Sequence, residues 1–292
     1  MSFKIITDTS GNLTQEIIDK YNLTVIPFSF YFNGEEHTDL QAENFDAVSF
    51  FNMMRSGVRV STSQITPQQY IDCFRWFLEE EQDILYVGMS SGISGTFNSS
   101  VLAAKELKDE FPLRKIRVFD TMTASLGEGL QVIRACELRE EGLDIDETYA
   151  VLLGERPKVS SIFTVDDLSY ILSTGRLFGA AKRITSLIKI KPILKGNEVG
   201  HIVLNGVLPG RKRAILSLAE RYNHNVVDPE KQLVGVAHCD CEEDADLLIR
   251  LISEKKPPRE ILKVFYEPVT GSHIGPGSLA LFFHGAEDVR LK

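Results

Sequence analysis

The feature that most limits what this chain can fold into is an alternation of short β-rich runs and longer amphipathic runs through its first half. FKIITDTS reads as a strand ending in a polar loop. LTQEIIDKYN follows as a helix with Leu13, Ile17, Ile18 and Tyr21 on one face. TVIPFSFYFNG reads as a second strand, closed by the Asn33-Gly34 turn signal. Phe45 to Arg55 has helical spacing, and Thr66-Pro67 opens a further helix with Thr at the N-cap and Pro at the first position. ILYVGMSSG is a strand running into a glycine-rich loop, and Thr96 to Glu110 is the helix after it. KIRVFDT is a fourth strand, before a long helix over roughly Thr123 to Glu141. Such a βαβα rhythm predicts a mainly parallel sheet with helices on both faces.

After about residue 155 the rhythm changes. SSIFTV, IKPILKG, GHIVLNGVL, LVGVAHC, EILKVFY and LALFFHG are strand candidates. Helical patterns lie between them at Asp166 to Ser173, Gly179 to Leu187, Lys212 to Tyr222 and Glu242 to Glu254. IKPILKG and GHIVLNG are close enough to form a hairpin, so this half is expected to hold a mixed sheet. The fold class expected is α/β with two domains. A parallel-sheet domain spans 1–155 and a mixed-sheet domain 156–292, with the boundary in GERPKVS at 154–160. A chain of 292 residues is long enough for both.

Composition excludes several classes of function. A formal net charge of −9 argues against a nucleic-acid partner, which needs a cationic surface. No apolar run approaches the roughly 18–20 residues of a membrane span. MSFKIITDTS has neither a long apolar region nor a small-residue cleavage site, so a cytoplasmic protein is expected. Four cysteines are too sparse for a disulfide framework. His238 with Cys239 and Cys241 lacks zinc-ligand spacing, so no metal site is expected.

Three hydroxyl-rich segments fall where strands of the first half meet loops: Asp8-Thr9-Ser10, Ser61-Thr62-Ser63-Gln64, and Ser90 to Thr96. In a parallel sheet such loops gather at the carboxyl ends of the strands, where ligands bind. In the third, Gly92 and Gly95 permit a tight turn into a helix N-terminus, a setting suited to an anion. Each segment also reads simply as N-caps and turn formers. Gly88-Met89-Ser90-Ser91-Gly92 matches G-x-S-x-G, which offers a competing reading as a serine hydrolase with Ser90 as nucleophile. His273 sits in a run of glycines that reads as a rigid turn between two strands, where imidazole could donate to an anion. Arg176 follows a helix capped by Gly175 and reads as an ion-pair or partner contact, or as a solvated charge. Arg211, Lys212 and Arg213 form a basic cluster suited to docking a protein partner.

Taken in order, these segments resemble the DegV family of bacterial fatty-acid-binding proteins over essentially the whole chain. Asp8-Thr9-Ser10 is similar to its opening D-S-T-type motif, and Thr62-Ser63-Gln64 to its T-S-Q segment. Ser91-Gly92-Ile93-Ser94-Gly95-Thr96-Phe97 resembles S-G-L-S-G-T-Y, the most specific of the set. Asp120-Thr121 with Ser125-Leu126-Gly127 follows the next segment, and Leu168 to Arg176 resembles L-x-x-L…G-G-R. Gly271-Ser272-His273 with Gly275-Pro276-Gly277 resembles the closing G-T-H-x-G-P-G. Departures are Ile65 after T-S-Q, Thr174 for the first glycine of G-G-R, and Pro209 where the family often has arginine.

The resemblance implies a long-chain fatty acid held between two domains, its carboxylate on the hydroxyls of Thr62 and Ser94 with His273 nearby. The ligand-binding set expected is Thr62, Ser63, Ser94, Gly95, Arg176 and His273. It further implies a carrier without cofactor or catalysis of its own, which presents the carboxylate to a partner fatty acid kinase. The acyl phosphate so formed would enter phospholipid synthesis. No stable membrane insertion is expected.

Overall fold

The computed structural model describes residues 3–38, 45–179 and 190–291. In chain order its elements are β1 (Lys4–Asp8), α1 (Gln15–Lys20), β2 (Thr24–Ile26), β3 (Ser29–Phe32), β4 (Glu35–His37), α2 (Ala47–Arg55), β5 (Ser61–Ser63) and α3 (Pro67–Glu79). Next come β6 (Ile84–Gly88), α4 (Thr96–Glu110), β7 (Ile116–Asp120), α5 (Leu126–Glu140), α6 (Ile145–Glu155) and β8 (Val159–Thr164). The remainder is α7 (Ser169–Ser173), β9 (Leu177–Phe178), β10 (Ile190–Gly196), β11 (Ile202–Pro209), α8 (Arg211–Asn225), β12 (Leu233–His238), α9 (Glu242–Lys255), β13 (Glu260–Phe265), α10 (Pro268–Ile274) and β14 (Leu279–His284). The helix expected over Gly179 to Leu187 falls almost wholly outside the described residues.

The fold is α/β, as the alternation requires. Four parallel strands run in the order β2-β1-β6-β7. Side chains on β1 alternate between the two faces. Ile5 packs with Leu85, Val87 and Cys136 on one face, and Ile6 with Ile84, Tyr70 and Phe74 on the other. The second half forms a seven-stranded mixed sheet in the order β13-β12-β14-β8-β10-β11-β9. Its β10 and β11 pair antiparallel, the hairpin expected from their spacing.

Two local details differ from the sequence reading. TVIPFSFYFNG is not one strand. Proline cannot donate to a ladder, and the chain breaks at Pro27. β2 stays in the parallel sheet, while β3 leaves it to form a small antiparallel sheet, β4-β3-β5. That sheet carries Thr62 opposite Phe30. The second difference is at His273. The glycines around it suggested a turn, but it lies in the last turn of α10. Glu267 caps that helix, accepting from Val269 N and Thr270 N, and Pro268 occupies its first position.

Helix α5 packs against both large sheets. A Cβ on Gly127 would come within 3.1 Å of Phe282, and one on Gly235 within 2.8 Å of Leu126, so helix and strand approach more closely than larger residues allow. A single apolar cluster, including Tyr70, Phe51, Phe163 and Phe282, is continuous from the parallel sheet to the seven-stranded one. No helix of the described residues is long and apolar enough to cross a membrane.

Candidate functional site

Between the two sheets lies a cavity of about 310 Å³, within the range of small-molecule sites. All six residues singled out in the sequence, Thr62, Ser63, Ser94, Gly95, Arg176 and His273, line it. They arrive from four places: β5, the loop before α4, the turn between α7 and β9, and α10.

Local contacts fix the polar groups. Thr62 Oγ1 and His273 Nε2 are 3.0 Å apart. Ser94 Oγ accepts from Thr96 N at 3.2 Å, at the entrance to α4. Ile65 N donates to Thr96 Oγ1 at 2.9 Å, which ties the segment after β5 to the same helix end. A Cβ on Gly95 would lie 2.2 Å from Gln64 Oε1, so a glycine lets these two loops meet. His273 is largely buried, and its Nδ1 has no partner among the described residues. Burial, then the charge of Arg176, pushes its imidazole down to about 4, so the ring is neutral at physiological pH. Arg176 donates to Thr174 O, and no carboxylate among the described residues pairs with it.

The remaining wall is mostly apolar, with Phe28, Phe163, Ile171, Val269 and Phe282 among its members. Among the described residues no Asp or Glu lines it, although the protein is strongly acidic. The chamber therefore offers hydroxyls, a neutral imidazole, a guanidinium and a helix N-terminus amid apolar side chains. Its ligand should be an amphiphile with an anionic head, because a buried anion needs donors and a buried alkyl chain needs none.

The sequence reading missed much of this wall. The loop after β7 contributes Met122, Thr123, Ala124 and Ser125. Met122 has φ 53° and Ser125 has φ 54°, both in the left-handed half that non-glycine residues rarely adopt. Backbone strain of this kind concentrates at functional loops. Its position at the carboxyl end of a parallel strand was the available signal.

The hydrolase alternative does not survive the geometry. Ser90 is fully buried; its hydroxyl donates to Gly200 O at 2.9 Å and accepts from Gly92 N at 3.1 Å. No histidine is bonded to it among the described residues, and it lacks the positive φ of a strained elbow. Ser90 instead fastens the loop before α4 to the β10–β11 turn. Gly92 serves the same junction: a Cβ there would lie 2.8 Å from the backbone of Gly200. Gly92→Ala should therefore destabilise the protein by about 1–3 kcal/mol, since backbone cannot rotate away. Gly154→Ala, at a helical position with open space, should be neutral or stabilising. Chemical denaturation of both variants checks this, and equal stability would refute the assigned role of Gly92.

The basic cluster is less free than its sequence suggests. Arg211 is bonded to Asp244 at 2.7 Å, leaving Lys212 and Arg213 exposed. Arg176 belongs to the cavity wall. His238 accepts from Cys241 N, and Cys239 is buried, an arrangement of ordinary packing.

A family model described as the uncharacterised DegV family matches residues 2–285. A DegV domain-containing protein of Clostridium perfringens is 34% identical over 97% of each chain. Another from Staphylococcus aureus is 30% identical over 100% of each. Among solved structures, a fatty-acid-binding DegV-family protein from Thermus thermophilus superposes with a TM-score of 0.88 at 28% identity, covering 98% of this chain and 100% of its own. DegV of Bacillus subtilis, described as a fatty acid binding protein, gives 0.85 at 26% identity, covering 98% and 99%.

Proposed function

Because the chain belongs to the DegV family, and its cavity joins anion donors to apolar walls, we propose that it binds a long-chain fatty acid and carries it as a substrate for another protein. The observation that carries this reading is the lining: among the described residues, a chamber without a carboxylate inside an acidic protein. Thr62 and Ser94 hold the carboxylate, with His273 and Arg176 beside it and the first-turn amides of α4 behind Ser94. Ser63 and Gly95 shape the loops that present these groups. Burial of about 14 methylenes contributes roughly 11 kcal/mol gross, which association and ordering reduce considerably. The relatives described as fatty-acid-binding support this assignment.

Two further parts belong to the same reading. The chain divides near 154–160, and the ligand lies between the two parts. Thr62 Oγ1 and His273 Nε2, 3.0 Å apart in the cavity wall, are assigned to holding the carboxylate, which the carrier presents to a partner kinase for acyl-phosphate formation. Mass spectrometry of organic extracts from native protein should find fatty acid near one per chain. A fatty-acid methyl ester should bind poorly, since charge-assisted hydrogen bonds are lost. Absence of fatty acid in the extract together with failure to take up added acid would refute the reading.

A further inference from the structure

Outside the cavity, two arginines flank the end of β7. Arg156 donates from Nη1 to Asp120 O at 2.9 Å, with its guanidinium over the Phe119 ring. Arg290 donates from Nη1 to Met122 O at 3.2 Å, two residues further along the same segment. It also donates from Nε to Val159 O at 2.8 Å and from Nη1 to Asn197 O at 3.4 Å. Arg290 is only 4% exposed, yet among the described residues its Nη2 has no partner, and Nε of Arg156 is likewise buried and unpartnered. Neither guanidinium has a carboxylate in ion-pair contact among the described residues. Asp120, whose charge acts on Arg290, already accepts from Ser91 N and Met122 N. A third cation, the buried Lys195, donates to Arg290 O.

Buried charges are normally paired, and two adjacent guanidiniums repel. Burial and then the charge of Arg156 push the Arg290 guanidinium down to about 10, with Asp120 opposing them in smaller part. From this juxtaposition we propose that Arg156 and Arg290 form a binding site for a phosphate-type oxyanion, entered from the half-exposed Arg156 side and ending at Nη2 of Arg290. Guanidinium forks match the geometry of such an anion. The contacts stand without the fatty-acid reading. The same oxyanion could be free phosphate or the phosphoryl head of a lipid, because Met122, whose carbonyl Arg290 holds, also lines the cavity.

The test is thermal melting of the whole protein in inorganic phosphate against chloride at equal ionic strength, with titration of a long-chain alkylphosphonate beside a long-chain fatty acid. Phosphate should raise the melting temperature of the wild type beyond chloride, and Arg156→Gln should weaken phosphate binding on the order of tenfold, with Arg156→Lys retaining part of it. If the oxyanion is a lipid head, Arg156→Gln should instead weaken the alkylphosphonate tenfold and leave the fatty acid unchanged. Either result supports the site and identifies its source. Should neither phosphate nor phosphonate respond to Arg156→Gln, the site is refuted. Arg156 is half-exposed, so this variant keeps the test intact where Arg290→Gln fails to fold.

Discussion

Thr62→Val and Ser94→Ala are each expected to weaken fatty-acid binding by about 5- to 150-fold, while the protein still folds. On the proposed head-group assignment each change takes one donor from a buried carboxylate, at a cost of roughly 1–3 kcal/mol. The effect on the fold should be smaller. Ser94 Oγ accepts from Thr96 N at the entrance to α4, and losing such an acceptor costs about 1 kcal/mol. Thr62 Oγ1 contacts His273 Nε2, so Thr62→Val also frees the imidazole. The double variant should lose less than the sum, because groups sharing one partner couple. His273→Ala should couple to Thr62→Val for the same reason, and His273→Gln, which keeps a donor, should bind better than His273→Ala. Calorimetric titration with a long-chain fatty acid measures all of these. Normal binding by both hydroxyl variants would place the carboxylate elsewhere.

How much of this was legible in the sequence depends on how local each signal was. Thr66-Pro67 and the helix it opens were readable from the Thr N-cap and the Pro after it, and the structure adds a capping box completed by Gln69. The break at Pro27 obeys a rule equally local, but the strong β pattern on both sides masked it. At His273 the glycines dominated the reading, although Glu267-Pro268 carries the N-terminal signature of a helix. Thr62 and Ser94 stood out through short hydroxyl-rich segments and the family resemblance; Ser94 does lie in the loop before α4, whereas Thr62 lies within β5, where the sequence suggested a loop. The apolar wall was not, because Phe28, Phe163, Ile171 and Phe282 converge from distant segments and look like any core residues. The G-x-S-x-G match shows the converse hazard, a real motif whose serine hydroxyl is spent on Gly200 O.

Glu128→Gln is expected to leave the protein as stable as the wild type near pH 6 and more stable near pH 9, whereas Glu128→Ala should cost about 3–5 kcal/mol through orphaned hydroxyls and lost packing. The reason lies at the carboxyl end of β1. Ser10 Oγ is 2.5 Å from Asp8 Oδ1 and 2.6 Å from Glu128 Oε2, with both carboxyls buried. One hydroxyl has one proton, so it donates to one carboxylate, and the other contact requires a proton on the acid. Asp8 collects further donors, Ser10 N at 2.9 Å and Tyr86 OH at 2.5 Å, which stabilise its charge. Apart from the shared Ser10 hydroxyl, Glu128 receives only Thr7 Oγ1 among the described residues, at 3.2 Å. The proton therefore resides on Glu128, donated to Ser10, which donates in turn to Asp8. Burial, then the charge of Asp8, raises Glu128 well above its ordinary 4.5. Burial likewise raises Asp8, and it pushes nearby Glu267 up to about 7. For a group raised on folding, the native state binds the extra proton, so its stabilisation is complete below the unfolded pKa and is lost as pH climbs through the folded one. Stability should thus decline from about pH 4.5 upward, through 7 as Glu267 ionises and further as Glu128 does. Glutamine at 128 can donate to Ser10 and accept from Thr7 without ever ionising, so it removes that part of the decline. Denaturant melts at the two pH values decide the matter: if Glu128→Gln proves as damaging at pH 6 as Glu128→Ala, Glu128 is ionised in the native protein and the proton lies elsewhere.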